Sequence, residues 1–255
     1  MPKKAFIAAT ALAVAASGAQ AQSEHKQLDA AESDPAKLGW MQGTPPPADK
    51  QIKFDDGSYF RFPQLRWSFS NWRQFFPTLP LHRGDTSAHA FPRKERDDID
   101  ALTFTPLGSD KPMSWKDALG ANYTDAVIVL HKGKIVYERY MGVTTPASQH
   151  IAFSVTKSYI GTLAASLAAE GKLDPDKLVT DYVPELAGSG FAGATVRHVM
   201  DMTTGIAFDE TYTNANADII RHARAGRAAP RRADYDGPDG FLAFLPTIGK
   251  QGEHG

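Results

Sequence analysis

The sequence of 255 residues contains no cysteine, and this absence excludes several kinds of chemistry. Without thiols a chain cannot form disulfides, thiolate zinc sites or iron–sulfur clusters, and it cannot use a cysteine nucleophile. An excess of positive charge is also absent, since 28 Lys and Arg residues stand against 29 Asp and Glu residues. Because binding to nucleic acid requires a surplus of clustered cations, we expect no nucleic-acid partner.

Long apolar runs are missing too, and the one short run lies close to the N-terminus. Residues 5–16 are mostly apolar, follow the basic Lys3 and Lys4, and precede the small-x-small triplet Ala19-Gln20-Ala21. A membrane anchor is the alternative, but the run is well short of the roughly 20 residues that span a bilayer. The pattern therefore predicts a signal peptide over residues 1–21, no membrane span in the mature chain, and a periplasmic or secreted location.

The next two segments differ in composition. Residues 22–53 are polar and contain a Pro-Pro-Pro stretch, which predicts a tail and linker. Residues 54–76 contain nine aromatic residues at irregular spacing. Packing in a core is the commoner reason for such residues, and a wall that stacks on a ligand is the alternative.

Regular secondary structure is predicted after residue 98. Two short apolar runs, at residues 126–130 and 134–140, flank Lys132-Gly133, where glycine can adopt a positive φ. This pattern predicts a β-hairpin. Apolar residues then recur at three- and four-residue steps from 153 to 170, which predicts a helix that ends at Gly171 in the left-handed conformation.

Two shorter helices are predicted beyond it. Asp174-Pro175 provides an N-cap and first residue for a helix that must end before Pro184. Thr195 would cap another helix that runs to Met202. Residues 221–232 hold five arginines, which indicate either a solvated loop or a rim that attracts an anionic group of a substrate.

Most motifs of known chemistry are absent from the sequence. It has no Gly-x-Ser-x-Gly elbow, no phosphate-binding P-loop and no His-Glu-x-x-His zinc motif. The eight histidines are scattered. We interpret His131, His150 and His198 as surface or hydrogen-bonded structural residues rather than metal ligands.

One arrangement remains, Ser154-Val155-Thr156-Lys157, at the start of the strongly periodic helix. Chance also produces this spacing, because Ser23-Glu24-His25-Lys26 matches it in the tail. On a helix, however, a three-residue step brings a hydroxyl and an amine to one face. The positive field of a first helical turn, together with burial, would favour a neutral amine that can take a proton from serine. The alternative, a helix-terminal serine beside a solvated lysine, stays open at this point.

The order of the surrounding segments is more specific than the tetrapeptide. The hairpin is followed by distinctive stretches at residues 153–158, 171–175, 182–186 and 195–205, with supporting stretches at 38–43, 103–110 and 235–238. The series resembles the serine β-lactamase-like family, which includes penicillin-binding proteins, class C β-lactamases and related esterases. Within that family it is most similar to the aminohexanoate-dimer hydrolase branch.

The resemblance implies an α/β fold of the β-lactamase/transpeptidase type, of the α+β sandwich kind, and a serine hydrolase acting on a small-molecule amide or ester. Ser154 would be the acylated nucleophile, Lys157 its base, and the Ser154 N–H half of the oxyanion hole. Tyr212 would contact the reacting amide, although a loop aromatic packed on the core is an equal alternative. No metal or organic cofactor is implied.

The sequence also departs from this family. Members normally continue to a second catalytic tyrosine and a Lys/His-Thr-Gly-like strand, and neither is found before Gly255. We therefore expect residues 54–255 to be the N-terminal part of such a domain, with the C-terminal sheet strands missing and a hairpin edge exposed. A truncated non-catalytic fragment or a ligand-binding pseudoenzyme of the same fold is the alternative.

Overall fold

The computed structural model describes residues 27–82 and 84–255. The predicted signal peptide and the match at residues 23–26 lie outside the described residues. Contacts divide the chain into two compact units, one ending at Phe153 and the other comprising Ser154–Gly255. We call them the N-terminal unit and the C-terminal unit. In the part of the chain that is described, no helix is both long and apolar enough to cross a membrane.

The N-terminal unit is built from short elements joined by long connections. Its helices are α1 (Pro35–Leu38), α2 (Leu65–Ser68) and α3 (Trp115–Ala121), with 3-10 turns at Ala48–Lys50, Ser58–Phe60, Trp72–Gln74 and Ile99–Ala101. Its strands are β1 (Thr103–Phe104), β2 (Met113–Ser114), β3 (Ala126–His131) and β4 (Lys134–Tyr140). β1 pairs antiparallel with β2, and β3 pairs antiparallel with β4.

The predicted hairpin is confirmed by the pairing of β3 and β4. Lys132 and Gly133 have φ values of 50° and 72°, so both central residues of the turn are left-handed, which matches the twist of paired strands. β4 buries Tyr137 almost completely. β3 instead exposes Ile128 and Leu130, and within the described residues this sheet has two strands.

Residues predicted to be tail and linker take part in the packing of this unit. The Arg66 side chain is 4% exposed. Its guanidinium donates to the Ala30 carbonyl (2.6 Å) and to Ser33 Oγ (2.9 Å), and lies 3.7 Å from Asp125 Oδ1. Asp125 in turn accepts a hydrogen bond from His150 Nε2 at 3.1 Å. The buried cation therefore ties the start of the described chain to the residues before β3.

The aromatic residues of segment 54–76 pack on one another, as the commoner interpretation predicts. Tyr59 is buried, and its ring lies within 6 Å of the rings of Phe54, Phe60, Trp72, Phe75 and Phe76. Burial raises the pKa of Tyr59 to about 12. Phe153 adds its ring to the same group, 5.1 Å from that of Phe69. We call these packed rings the aromatic cluster.

The C-terminal unit is mainly helical. Its helices are α4 (Val155–Ala169), α5 (Val179–Tyr182), α6 (Val196–Met200), α7 (Asp218–Ala225) and α8 (Phe241–Phe244), with 3-10 turns at Pro184–Leu186 and Leu245–Thr247. β5 (Ile206–Ala207) and β6 (Gly249–Lys250) form an antiparallel pair. The buried core of the unit consists of Leu186, Phe191, Ala225, Phe244 and Ile248.

The long helix predicted from apolar periodicity is confirmed as α4, and Gly171 follows it with φ 71°. Thr195 caps α6 through hydrogen bonds exchanged with His198. The predicted helix start at Asp174 is wrong. Asp174 instead accepts the backbone N–H of Asp176 in a turn, and α5 begins at Val179.

Replacing Arg66 with methionine should destabilise the N-terminal unit by about 3 kcal/mol, because Asp125 and two acceptors would lose a buried cationic partner. All four tryptophans, Trp40, Trp67, Trp72 and Trp115, lie in this unit, so their fluorescence during urea unfolding reports on it. Arg96→Met is the matched control. It removes an exposed pair with Asp98 and should cost less than about 1 kcal/mol. Equal losses for the two variants would contradict the role of Arg66.

Candidate active site

Ser154 and Lys157 meet at the first turn of α4. Ser154 occupies the N-cap position with helical dihedrals, and its carbonyl accepts the backbone N–H of Lys157 at 2.9 Å. The Ser154 hydroxyl makes no hydrogen bond to the backbone amides of the first turn. Lys157 Nζ instead donates to Ser154 Oγ at 3.0 Å. The contact expected from the three-residue step is present, and the catalytic roles of the two residues stay a prediction.

Both side chains of this pair are exposed, and α4 buries none of its residues. The hydrogen bond has the ammonium as donor and the hydroxyl as acceptor. General-base catalysis requires the reverse, with a neutral amine that accepts from Oγ–H. The geometry therefore places the amine and the hydroxyl within reach of each other.

Tyr212 lies in the loop between β5 and α7. The loop is fixed near both ends, because Thr211 N–H donates to Asp209 Oδ1 (2.8 Å) and Asp209 N–H donates to Asp218 Oδ2 (3.0 Å). Tyr212 is 37% exposed, and partial burial followed by the charge of Glu210 raises its pKa. Among the described residues, no hydrogen bond joins Tyr212 to Ser154 or Lys157, and the role of Tyr212 stays a prediction.

His222 is a neighbour of Lys157 that reasoning from the sequence missed. Its ring stacks on Phe241 with centroids 4.5 Å apart and meets Phe244 edge-on at 5.6 Å. Burial, and then the positive charge of Lys157, lower the pKa of His222 from its ordinary value of 6.5. A Cβ on Gly226 would lie 2.3 Å from the Phe241 ring, so this position needs glycine for the stack to form. No local sequence signal marks His222, because its partner Phe241 is distant along the chain.

The other singled-out histidines have the structural roles that were predicted. His131 is exposed. His150 bonds to Asp125 and to the Ile151 carbonyl, and the hydrogen bond to Asp125 raises its pKa. His198 belongs to the cap of α6. Within residues 27–82 and 84–255, no three His, Asp or Glu side chains are grouped as metal ligands.

The arginine-rich stretch is not a solvated loop throughout, because α7 covers residues 218–225. Arg227 and Arg231 both pair with Asp239, at 2.7 and 2.9 Å, and these hydrogen bonds lower the pKa of Asp239 to about 2. Arg221 pairs with Asp218 at 2.6 Å. Carboxylates therefore offset much of the charge that a rim for anions would require.

Three comparisons with known proteins agree with one another. A family model described as Beta-lactamase matches residues 117–239. The chain is 33% identical over 198 residues to the 6-aminohexanoate-dimer hydrolase of Paenarthrobacter ureafaciens, across 78% of this chain and 48% of that protein. It is 29% identical over 135 residues to a beta-lactamase of Providencia stuartii, across 52% of this chain and 33% of that protein.

The structure is also similar to a solved one from Bacillus anthracis that is provisionally assigned as a 6-aminohexanoate-dimer hydrolase. The TM-score is 0.72 at 25% sequence identity, across 83% of this chain and 54% of that chain. The chain thus spans about half the length of the 6-aminohexanoate-dimer hydrolase of Paenarthrobacter ureafaciens. It spans about a third of the length of the Providencia stuartii beta-lactamase.

Replacing Lys157 with methionine should raise the pKa of His222 toward 6.5, because the variant removes the positive charge that opposes protonation of the imidazole. An NMR titration of the His222 ring protons measures this change. Lys172→Met, which removes a lysine paired with Glu170, is the control and should leave the titration unchanged. A His222 pKa that is the same with and without Lys157 would show that the two groups do not interact.

Proposed function

We propose that this chain, which has a serine β-lactamase-like fold and carries a beta-lactamase family domain at residues 117–239, is a serine hydrolase of amide or ester bonds. The fold class and family predicted from the sequence are confirmed. The observation that carries the proposed activity is the 3.0 Å hydrogen bond between Lys157 Nζ and Ser154 Oγ on one face of α4. It supplies the contact that a lysine needs to activate a serine.

In the proposed acylation, a neutral Lys157 takes the proton of Ser154 Oγ while Oγ attacks the carbonyl carbon of the substrate. The new C–O bond converts the carbonyl to a tetrahedral oxyanion, toward which the Ser154 N–H donates. Collapse of this intermediate breaks the bond to the leaving amine or alcohol. The leaving group receives the proton that Lys157 carries, so the lysine is neutral again.

Water then hydrolyses the acyl ester on Ser154, releases the acid and restores the hydroxyl. We assign Tyr212 to the binding of the reacting amide, on the strength of the family resemblance and its partly exposed position. This scheme uses no metal or organic cofactor. As substrate we propose a small linear amide or ester, because the relative from Paenarthrobacter ureafaciens is named for an amide dimer.

We also propose that the protein is exported. The support is the sequence pattern at residues 1–21, with two lysines, a short apolar run and a small-x-small triplet. Mass spectrometry of the protein recovered from the periplasm or medium of its host tests this directly. A mature N-terminus at Gln22 is expected, and an intact Met1 in the cytoplasm would contradict export.

The principal test is intact-mass spectrometry after incubation with a fluorophosphonate, which reacts with activated serines. A single adduct mapped to Ser154 is expected, and Ser154→Ala should abolish it. Ser158→Ala, a serine on the same helix, is the control and should label normally. No adduct on the wild-type chain would overturn the proposal in favour of a non-catalytic, ligand-binding protein of this fold. The exposure of the Ser154 and Lys157 side chains favours this alternative.

A separate expectation concerns the base. Lys157→Ala should slow labelling of Ser154 by at least about a hundredfold, the usual size of a general-base contribution. The rate is measured as a time course at saturating probe, with Lys172→Ala as the matched lysine control. A Lys157→Ala rate equal to that of the wild type would leave Lys157 without a role in activating Ser154.

A further inference from the structure

His150 has a hydrogen-bond acceptor opposite each of its two ring nitrogens. Nε2 lies 3.1 Å from Oδ2 of Asp125, and Nδ1 lies 2.9 Å from the backbone carbonyl oxygen of Ile151. An ionised carboxylate and a carbonyl oxygen can only accept hydrogen bonds. A neutral imidazole carries one N–H and satisfies one of the two acceptors, whereas the imidazolium carries two N–H groups and satisfies both. The geometry is therefore that of a protonated ring.

Asp125 supplies the negative charge that pairs with this cation. Its side chain is 13% exposed, and its other oxygen, Oδ1, lies 3.7 Å from the Arg66 guanidinium. Arg66 in turn lies over the ring of Tyr123, 5.6 Å from its centroid, and the ring of Phe69 meets His150 edge-on at 6.1 Å. The carboxylate of Asp125 thus lies between two cations, and each of its oxygens faces one of them.

The same contacts change the titration of the ring. The hydrogen bond to Asp125 raises the pKa of His150 above its ordinary value of 6.5, partial burial opposes this, and the Ile151 carbonyl and the charge of Asp125 add to the rise. The side chain is 37% exposed, so solvent can take up its proton. A group whose pKa is higher in the folded chain stabilises the fold below its unfolded pKa. That contribution is lost as pH rises through the folded pKa.

His150 belongs to a connection that has no helix or strand of its own. This connection, residues 141–153, runs from the end of β4 to the end of the N-terminal unit. Another contact that joins it to the rest of the unit is the hydrogen bond from the Ile151 N–H to the Phe69 carbonyl, at 2.9 Å. Because the connection lacks the repeated hydrogen bonds of regular structure, single contacts such as these determine how well it is ordered.

We propose that His150 is a pH-sensitive link within the N-terminal unit: the imidazolium joins Asp125 to the Ile151 carbonyl, and the neutral ring keeps only Asp125. When the ring gives one proton to solvent, the two acceptors compete for the N–H that remains, and the ionised carboxylate is the stronger acceptor. A lone pair on Nδ1 then faces the carbonyl oxygen and repels it. The connection at residues 141–153 therefore loses a contact as pH rises. This inference does not depend on the proposed function.

Nitrogen-15 NMR of the His150 ring tests the link directly, because the chemical shifts of the two nitrogens show which of them carries a proton. At about pH 6 both should be protonated, and at about pH 9 Nε2 should keep its proton while Nδ1 has lost it. The carbonyl carbon-13 shift of Ile151 should follow the same titration, because its hydrogen bond is lost. A folded chain with a neutral His150 at about pH 6 would overturn the proposal. So would an Ile151 carbonyl shift that stays constant while the ring titrates.

Urea unfolding followed by tryptophan fluorescence measures the consequence for stability. The unfolding midpoint of the wild type should be higher at about pH 6 than at about pH 9, and His150→Gln, which cannot titrate, should lose most of this difference. His131→Gln is the matched control: it removes an exposed histidine of the same unit and should leave the difference unchanged. The same pH dependence in the wild type and in His150→Gln would contradict the link. The ring NMR needs no variant, so it decides the proposal even if His150→Gln does not fold.

Discussion

The hydrogen bond from Lys157 to Ser154 is the contact on which the proposed chemistry of this protein depends. One helical turn is enough to create it, because a step of three residues places both side chains on one face without any long-range packing. The contact fixes the distance between the two groups. For Lys157 to accept the proton of Ser154 Oγ, the proposed chemistry needs a second condition, a site from which water is excluded.

Different forces fix the backbone on the two sides of Ser154. After Ser154, the regular hydrogen bonds of α4 determine the chain. Before it, irregular structure does so: His150 bonds to Asp125, Ile151 to Phe69, and Phe153 inserts its ring into the aromatic cluster. The rings of Phe60, Phe69 and Trp72 thus contact a residue far along the chain as well as one another.

The features that the sequence predicted depend on interactions between near neighbours in the chain, and the features that it missed depend on long-range interactions. Apolar periodicity predicted α4, and Lys132-Gly133 predicted the hairpin, because the information for each lies within a few neighbouring residues. The start of α5 was wrong, since Asp174 satisfies its own turn before the helix begins. The His222 stack and the contact of Phe153 with Phe69 depend on partners far along the chain, and no local pattern encodes them. Family resemblance supplied the expected role of Tyr212, which stays a prediction.

The arginine-rich stretch shows why charge composition alone does not define a binding surface. Five arginines within residues 221–232 would make a strong field if they were free. The fold instead sets Asp239 between Arg227 and Arg231, and it places Asp218 beside Arg221 on the first turn of α7. The pairing leaves less free charge on this stretch than its composition suggests, and salt screens what remains. The positions of the carboxylates, rather than the count of arginines, therefore determine the field of this segment.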